Sequence, residues 1–214
     1  MLDRLAQVRG IENCTVHFQI DWCDDQRLRD AVFDLATNWT ASKLAIFISQ
    51  SHLGLNDNIF TGLDRAFNDD DHVLIVEDDV TLYHDSLEFV CRPEFEAAKA
   101  VCLHRRHETM PELDWDGWEY KPGFNAWGWA LRRKAWEEIR PLFPREDRKE
   151  GPCSWDWRLS DDYFHKHENS LIFPKIGRSF NIGIDNGTHH HGYTHWMKCI
   201  YTRYWAGNLP RETT

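Results

Sequence analysis

Val73-Leu74-Ile75-Val76-Glu77-Asp78-Asp79 is the stretch on which the reading of this chain turns. A short run of large apolar residues rich in β-branched types reads as a strand buried on both faces, the kind found inside parallel sheets. It runs straight into three acids, which places carboxylates at the carboxyl edge of a sheet, where open α/β sheets bind ligands. Working outward, Leu2, Leu5 and Val8 share a face of a short helix that Gly10 ends. Strands are expected at 15–20 and 44–48, and helices at 24–37 and 58–68. Strand and helix alternate, which implies an α/β sheet with parallel members joined by right-handed crossovers.

Beyond the acidic stretch, residues 86–99 read as a helix, 100–103 as a strand, 118–121 and 124–131 as strands around Pro122-Gly123, 133–142 and 155–167 as helices, and 171–173 as a strand. The 214 residues fit a single domain, with residues 1–80 as a nucleotide-binding half and 81–214 as an acceptor half.

The chain carries 35 acidic against 25 basic residues, a net charge of -10, the wrong sign for gripping phosphate backbones over a whole surface. No apolar run is long enough to span a bilayer, and the first residues lack the apolar stretch of an export signal, so a soluble cytoplasmic protein is expected. Six dispersed cysteines without a Cys-x-x-Cys pair argue for reduced thiols. Three Asn-x-Thr triplets, beginning at Asn13, Asn38 and Asn186, matter only in an exported chain.

Three adjacent carboxylates repel one another, and a divalent cation is the simplest neutraliser. Hard oxygen ligands suit Mg²⁺ or Mn²⁺, whose shell is completed by water and substrate phosphates, so a nucleoside diphosphate is the natural companion. A solvated acidic turn is the bland reading. Asp156, between Trp155 and Trp157, has the apolar setting of a general base, although Asp is equally favoured in the first turn of a helix. Asp161 and Asp162 are rival bases. His189-His190-His191 with His195 invites a zinc reading, but lacks cysteine or acidic ligands at tight spacing. Phe124, Trp127 and Trp129 alternate around Gly128 and suit stacking on an acceptor sugar, with Gly128 letting the backbone approach the ligand, unless one parity belongs to the core. Arg178 suits a phosphate, or a structural ion pair.

The string VLIVEDDV (73–80) resembles the strand and acidic motif of glycosyltransferases of the GT-A fold, and in particular the N-acetylglucosaminyltransferase I family, family 13. In the same order as in that family follow PGFNAWGWALRRKAWEEI (122–139), CSWDWRL (153–159), FPKIGRSFNIG (173–183) and Gly187-Thr188-His189. The resemblance spans about residues 71–192 and is carried by the ordered set, each motif being weak alone. It implies a Rossmann-like mixed, mainly parallel sheet flanked by helices, and an inverting transferase using a nucleotide sugar, by resemblance a uridine diphosphate sugar, with Mn²⁺ on the diphosphate. By position it implies Asp79 on the metal, Asp78 near the ribose or metal-bound water, Glu77 near the nucleotide or metal-bound water, Asp156 as base and His189 near the donor diphosphate or the metal. Such enzymes open with a strand that carries part of the base pocket, whereas this chain opens at what reads as the following helix. The first strand is therefore expected to be absent, leaving base recognition to Asp21, Trp22 and residues 49–58.

Two rivals stand beside this reading. One keeps the chemistry but takes hydroxymethylated bases of DNA as acceptor, in place of a glycan or protein hydroxyl, and needs a basic groove and base flipping. The other is a non-catalytic domain that binds nucleotide or carbohydrate without turnover.

Overall fold

The computed structural model describes residues 1–105, 114–145 and 155–183. A first helix α1 (Leu2–Leu5) leads through Gly10, with φ of 85°, and a short 3-10 turn into β1 (Thr15–Ile20). Helix α2 (Gln26–Thr37) starts at Asp25, whose carboxylate accepts the Arg27 and Leu28 N–H groups at 2.9 and 3.3 Å. Strand β2 (Lys43–Ile48), helix α3 (Gly54–Asp69), strand β3 (His72–Ile75), strand β4 (Val80–Leu82) and helix α4 (Ser86–Val90) follow. The second half contains β5 (Ala100–Cys102), β6 (Trp118–Tyr120), β7 (Trp129–Arg132), α5 (Arg133–Ile139), α6 (Trp155–Asp162), β8 (Leu171–Pro174) and β9 (Ser179–Asn181).

The result is a mixed α/β architecture, as the sequence predicts. Strands β1 and β2 pair in parallel, five strands run in the order β3-β7-β5-β8-β6, and β4 and β9 form a separate ribbon. In the five-stranded sheet β5 and β8 are parallel, while β7 is antiparallel to both β3 and β5, and β6 to β8. Period-2 alternation divides the core between the two faces. Ala100, Cys102, Trp129, Leu131, Leu171 and Phe173 pack with Leu63 and Phe67 of α3, whereas Val101, Leu103 and Ile172 pack with Val8, Phe89 and Phe95.

Three local expectations need correction. The helix expected at 86–99 ends at Val90, and Pro93 starts a 3-10 turn, because proline lacks the N–H that a continuing helix needs. Residues 118–131 do not form a hairpin. Strand β6 pairs with β8, β7 pairs with β3 and β5, and the strand expected from 124 starts only at Trp129. The β4–β9 ribbon went unread because its strands are three residues each, too short to show a period.

Arg178, anticipated on a phosphate, is 2% exposed. Its guanidinium donates to Asp85 Oδ2 at 3.2 Å, to the Ile176 carbonyl at 3.1 Å and to the Trp115 carbonyl, and lies 4.1 Å from the centre of the Phe89 ring. Its own backbone accepts from Tyr83 N at 2.8 Å and Ser86 Oγ at 2.9 Å. A buried charge that loses its partner is strongly destabilising, so Arg178→Met is expected to cost about 3–5 kcal/mol. In urea denaturation the double variant Arg178→Met/Asp85→Leu should recover part of that loss, and equal or greater instability of the double would count against the ion-pair reading.

Candidate active site

Strand β3 ends at Ile75, and the chain turns through Glu77-Asp78-Asp79 into β4, with Val80 N donating to the Glu77 carbonyl at 3.0 Å. The β4–β9 ribbon then fixes the last acid. Val80 lies opposite Asn181, the Asn181 amide donates to Asp79 Oδ2 at 2.9 Å, and Ile182 N donates to the Asp79 carbonyl at 2.6 Å. The Asn181 side-chain carbonyl in turn accepts Gly183 N at 2.8 Å. A Cβ on Gly183 would stand 2.9 Å from Asp79 Cβ, so only glycine lets this loop close on the acid. Asn181 and Gly183 were missed at the sequence level as supports of the acidic turn. The signal available was their place in FPKIGRSFNIG.

One oxygen of Asp79 is thus held, while the other, Oδ1, is buried and has no hydrogen-bond partner among the described residues. Loss of solvation raises the Asp79 carboxyl above its usual range, the Asn181 hydrogen bond opposes this, and the charge of Asp78 adds to it. Glu77 is pushed up to about 8, chiefly by burial and then by the charges of Asp79, Asp156 and Asp78. Asp78 is exposed. A carboxylate oxygen without a partner, among acids that resist joint ionisation, suits a hard divalent cation. Among the described residues no group of three or more His, Cys, Asp or Glu side chains is assembled as a complete metal cage.

Asp156 lies in the first turn of α6 and accepts Trp157 N at 2.9 Å. It faces the same cleft as the acidic turn, while Trp155 is buried and Trp157 is 60% exposed. Of the aromatic trio, Trp127 lines this cleft, its ring 4.6 Å from that of His104. The other two require correction. Trp129 is 0% exposed, and Phe124 packs edge-on against it at 4.8 Å and stacks on Phe164 at 4.9 Å, so both are core rings. Gly128 is buried beside the ribbon. It has φ of 80°, and a Cβ there would lie 3.0 Å from Ser179 Cβ, so its freedom serves the close approach of the β4–β9 ribbon.

Asp21 follows β1 and lines the cleft, yet its carboxylate is already engaged. It accepts Trp22 N and Leu53 N, both at 2.7 Å, and Gly54 N at 2.9 Å, and pairs with His52 at 3.0 Å, so it caps the start of α3. His189 and His195 lie outside the described residues.

No protein-family model and no curated protein matches the sequence. Among solved structures the chain is similar to a mannosyltransferase, PcManGT, from Pyrobaculum calidifontis, solved in complex with GDP-Man and Mn²⁺. The TM-score is 0.51 at 14% identity, over 98% of this chain and 60% of that one. The chain thus spans about 60% of the length of this neighbour. The likeness shows a shared fold.

Glu77 gives the site a pH signature. Its folded carboxyl, near 8, holds a proton that the unfolded chain releases above its ordinary value of 4.5. Stability from this group is therefore complete below about 4.5 and is lost as pH rises through about 8. In chelator-treated protein, thermal midpoints should fall between those limits, and Glu77→Gln should flatten the decline. An unchanged slope in that variant would show that the proton is held elsewhere.

Proposed function

We propose that this chain is a metal-dependent glycosyltransferase that moves a sugar from a nucleotide sugar to an acceptor hydroxyl, with inversion at the anomeric carbon. Residues 1–80 form the donor half and 81–214 the acceptor half. The observation that carries the proposal is the convergence, in one cleft, of the Glu77–Asp79 turn with its unpartnered Asp79 Oδ1 and a second, separately held acid, Asp156. The likeness in fold to a GDP-Man and Mn²⁺ enzyme supports it.

Mn²⁺ or Mg²⁺, when bound, neutralises charge on the diphosphate as it departs and so lowers the barrier. Asp79 would hold the cation directly through Oδ1, with Asp78 and Glu77 acting through its water shell. Asp156 accepts the proton of the attacking hydroxyl, the role that requires an acid on the far side of the sugar from the diphosphate. Exposed Trp157 and half-buried Trp127 offer ring faces to the acceptor. The family resemblance assigns His189 to the donor diphosphate. Arg178 acts as a positioning residue that holds the chain leading into β9, and Asp21 sets the loop before α3 against which a base would lie.

A uridine diphosphate donor follows from the resemblance to the N-acetylglucosaminyltransferase I family. Guanosine diphosphate mannose, bound by the structural neighbour, is its competitor. A glycan or protein hydroxyl suits a net charge of -10 better than hydroxymethylated DNA does. Free Cys14, Cys23, Cys91 and Cys102 suit the reducing cytoplasm, and among the described residues no helix is long and apolar enough to cross a membrane.

A panel of uridine and guanosine nucleotide sugars, assayed with and without Mn²⁺, tests the assignment. Asp79→Ala should abolish metal-dependent donor binding. Asp156→Asn should keep donor binding and lower transfer by roughly 10²–10⁴-fold, the span of general base catalysis. Donor binding without turnover by the unaltered chain would favour the non-catalytic reading, and indifference of every donor to Mn²⁺ would overturn the metal assignment.

A further inference from the structure

The two carboxylate oxygens of Asp79 stand in different surroundings. Oδ2 accepts a side-chain N–H of Asn181 at 2.9 Å, whereas Oδ1 is buried and has no hydrogen-bond partner among the described residues. Asn181 is held in this orientation from its other end. Its side-chain carbonyl accepts Gly183 N at 2.8 Å, and because an amide presents its carbonyl and its NH₂ on opposite sides, the NH₂ is the group left for Asp79. The backbone fixes the pair as well, since Val80 lies opposite Asn181 and Ile182 N donates to the Asp79 carbonyl at 2.6 Å.

Gly183 crowds the same oxygen. A Cβ at that position would collide with Asp79 Oδ2 and stand 2.9 Å from Asp79 Cβ. Oδ2 is therefore committed to an N–H and covered by the loop, which leaves Oδ1 as the oxygen that Asp79 offers to a cation.

The number of oxygens a carboxylate can offer separates the hard cations. Ca²⁺ gathers about 6–8 oxygens at about 2.3–2.6 Å and readily takes both oxygens of one carboxylate. Mg²⁺ holds to an octahedron at about 2.0–2.1 Å and keeps several waters, and Mn²⁺ likewise accepts six oxygens in that arrangement. A carboxylate restricted to one oxygen suits the second kind of ion.

We propose that Asn181 determines which cation the acidic turn accepts: by occupying Oδ2 it confines Asp79 to a single ligand oxygen and so favours Mn²⁺ or Mg²⁺ over Ca²⁺. The inference rests on the metal-dependent reading of the site and adds to it a residue that sets metal selectivity. Asn181 acts through Asp79 and is a positioning residue, of the kind that orients a ligand from behind.

The test reads Mn²⁺ binding to the full chain from the loss of the free-ion electron paramagnetic resonance signal, and Ca²⁺ binding from displacement of that Mn²⁺. Each titration is run with the metal alone and beside uridine or guanosine diphosphate, with controls of nucleotide without protein. Asn181→Ala frees Oδ2, and Asn181→Asp removes the N–H at constant size, so the comparison survives if alanine disturbs the ribbon. In both variants the ratio of Mn²⁺ to Ca²⁺ affinity should fall by about tenfold or more, within the effect that partners of metal ligands exert. An unchanged ratio overturns the proposal, whether both ions weaken together, as a merely structural role of Asn181 requires, or neither does. Asp79→Ala distinguishes this from failure of the underlying reading. If the unaltered chain binds no Mn²⁺, or binds it as well after Asp79→Ala, the metal assignment itself falls and takes the selectivity role with it.

Discussion

Strand β7 is hydrogen-bonded along both edges, with Ile75 opposite Trp129 on one side and Cys102 opposite Trp129 on the other. This double pairing fixes the acidic strand to the rest of the sheet. Because side chains alternate strictly along a strand, a slip of one residue at β7 would turn Trp129 and Leu131 out of one core and Ala130 into their place. It would also move Ile75, and with it the direction in which Glu77, Asp78 and Asp79 leave the sheet. Trp129, which read as a stacking platform, therefore secures the site from behind.

The β4–β9 ribbon completes what β7 begins. Strand β4 leaves the acidic turn immediately, and β9 brings Asn181 and Gly183 against Asp79 across a large sequence separation. The ribbon is positioned at both ends. Gly128 admits it next to β7, and Arg178, held by Asp85 and the Trp115 and Ile176 carbonyls, anchors the chain entering β9. Arg178 and Gly128 thus serve the site as parts of its frame. The electrostatic consequence is a set of acids that protein dipoles neutralise only in part, with one Asp79 oxygen unpaired among the described residues and the Glu77 carboxyl pushed up to about 8.

One cavity is lined by the acidic turn, by β1 and β3 and by Asp156 and Asn181. Asp21 lies on this space, at the end of β1, and ties β1 to the start of α3 through two backbone N–H groups.

The sequence by itself determined the elements whose signals are local. The apolar run before Glu77 and the helical spacing of 24–37 are properties of a few neighbouring residues, and β1, β2, β3 and α2 lie close to where those signals put them, while α3 begins at Gly54, ahead of the expected 58. It also brought forward the acidic turn and Asp156, because carboxylates at a strand end and between tryptophans are conspicuous in any fold. Tertiary structure alone decided which aromatic rings of 124–129 are core, because alternation marks two faces without saying which one is covered. It alone turned Arg178 inward, gave Asp21 a capping role and made Asn181 the partner of Asp79, since each depends on a residue distant in the chain.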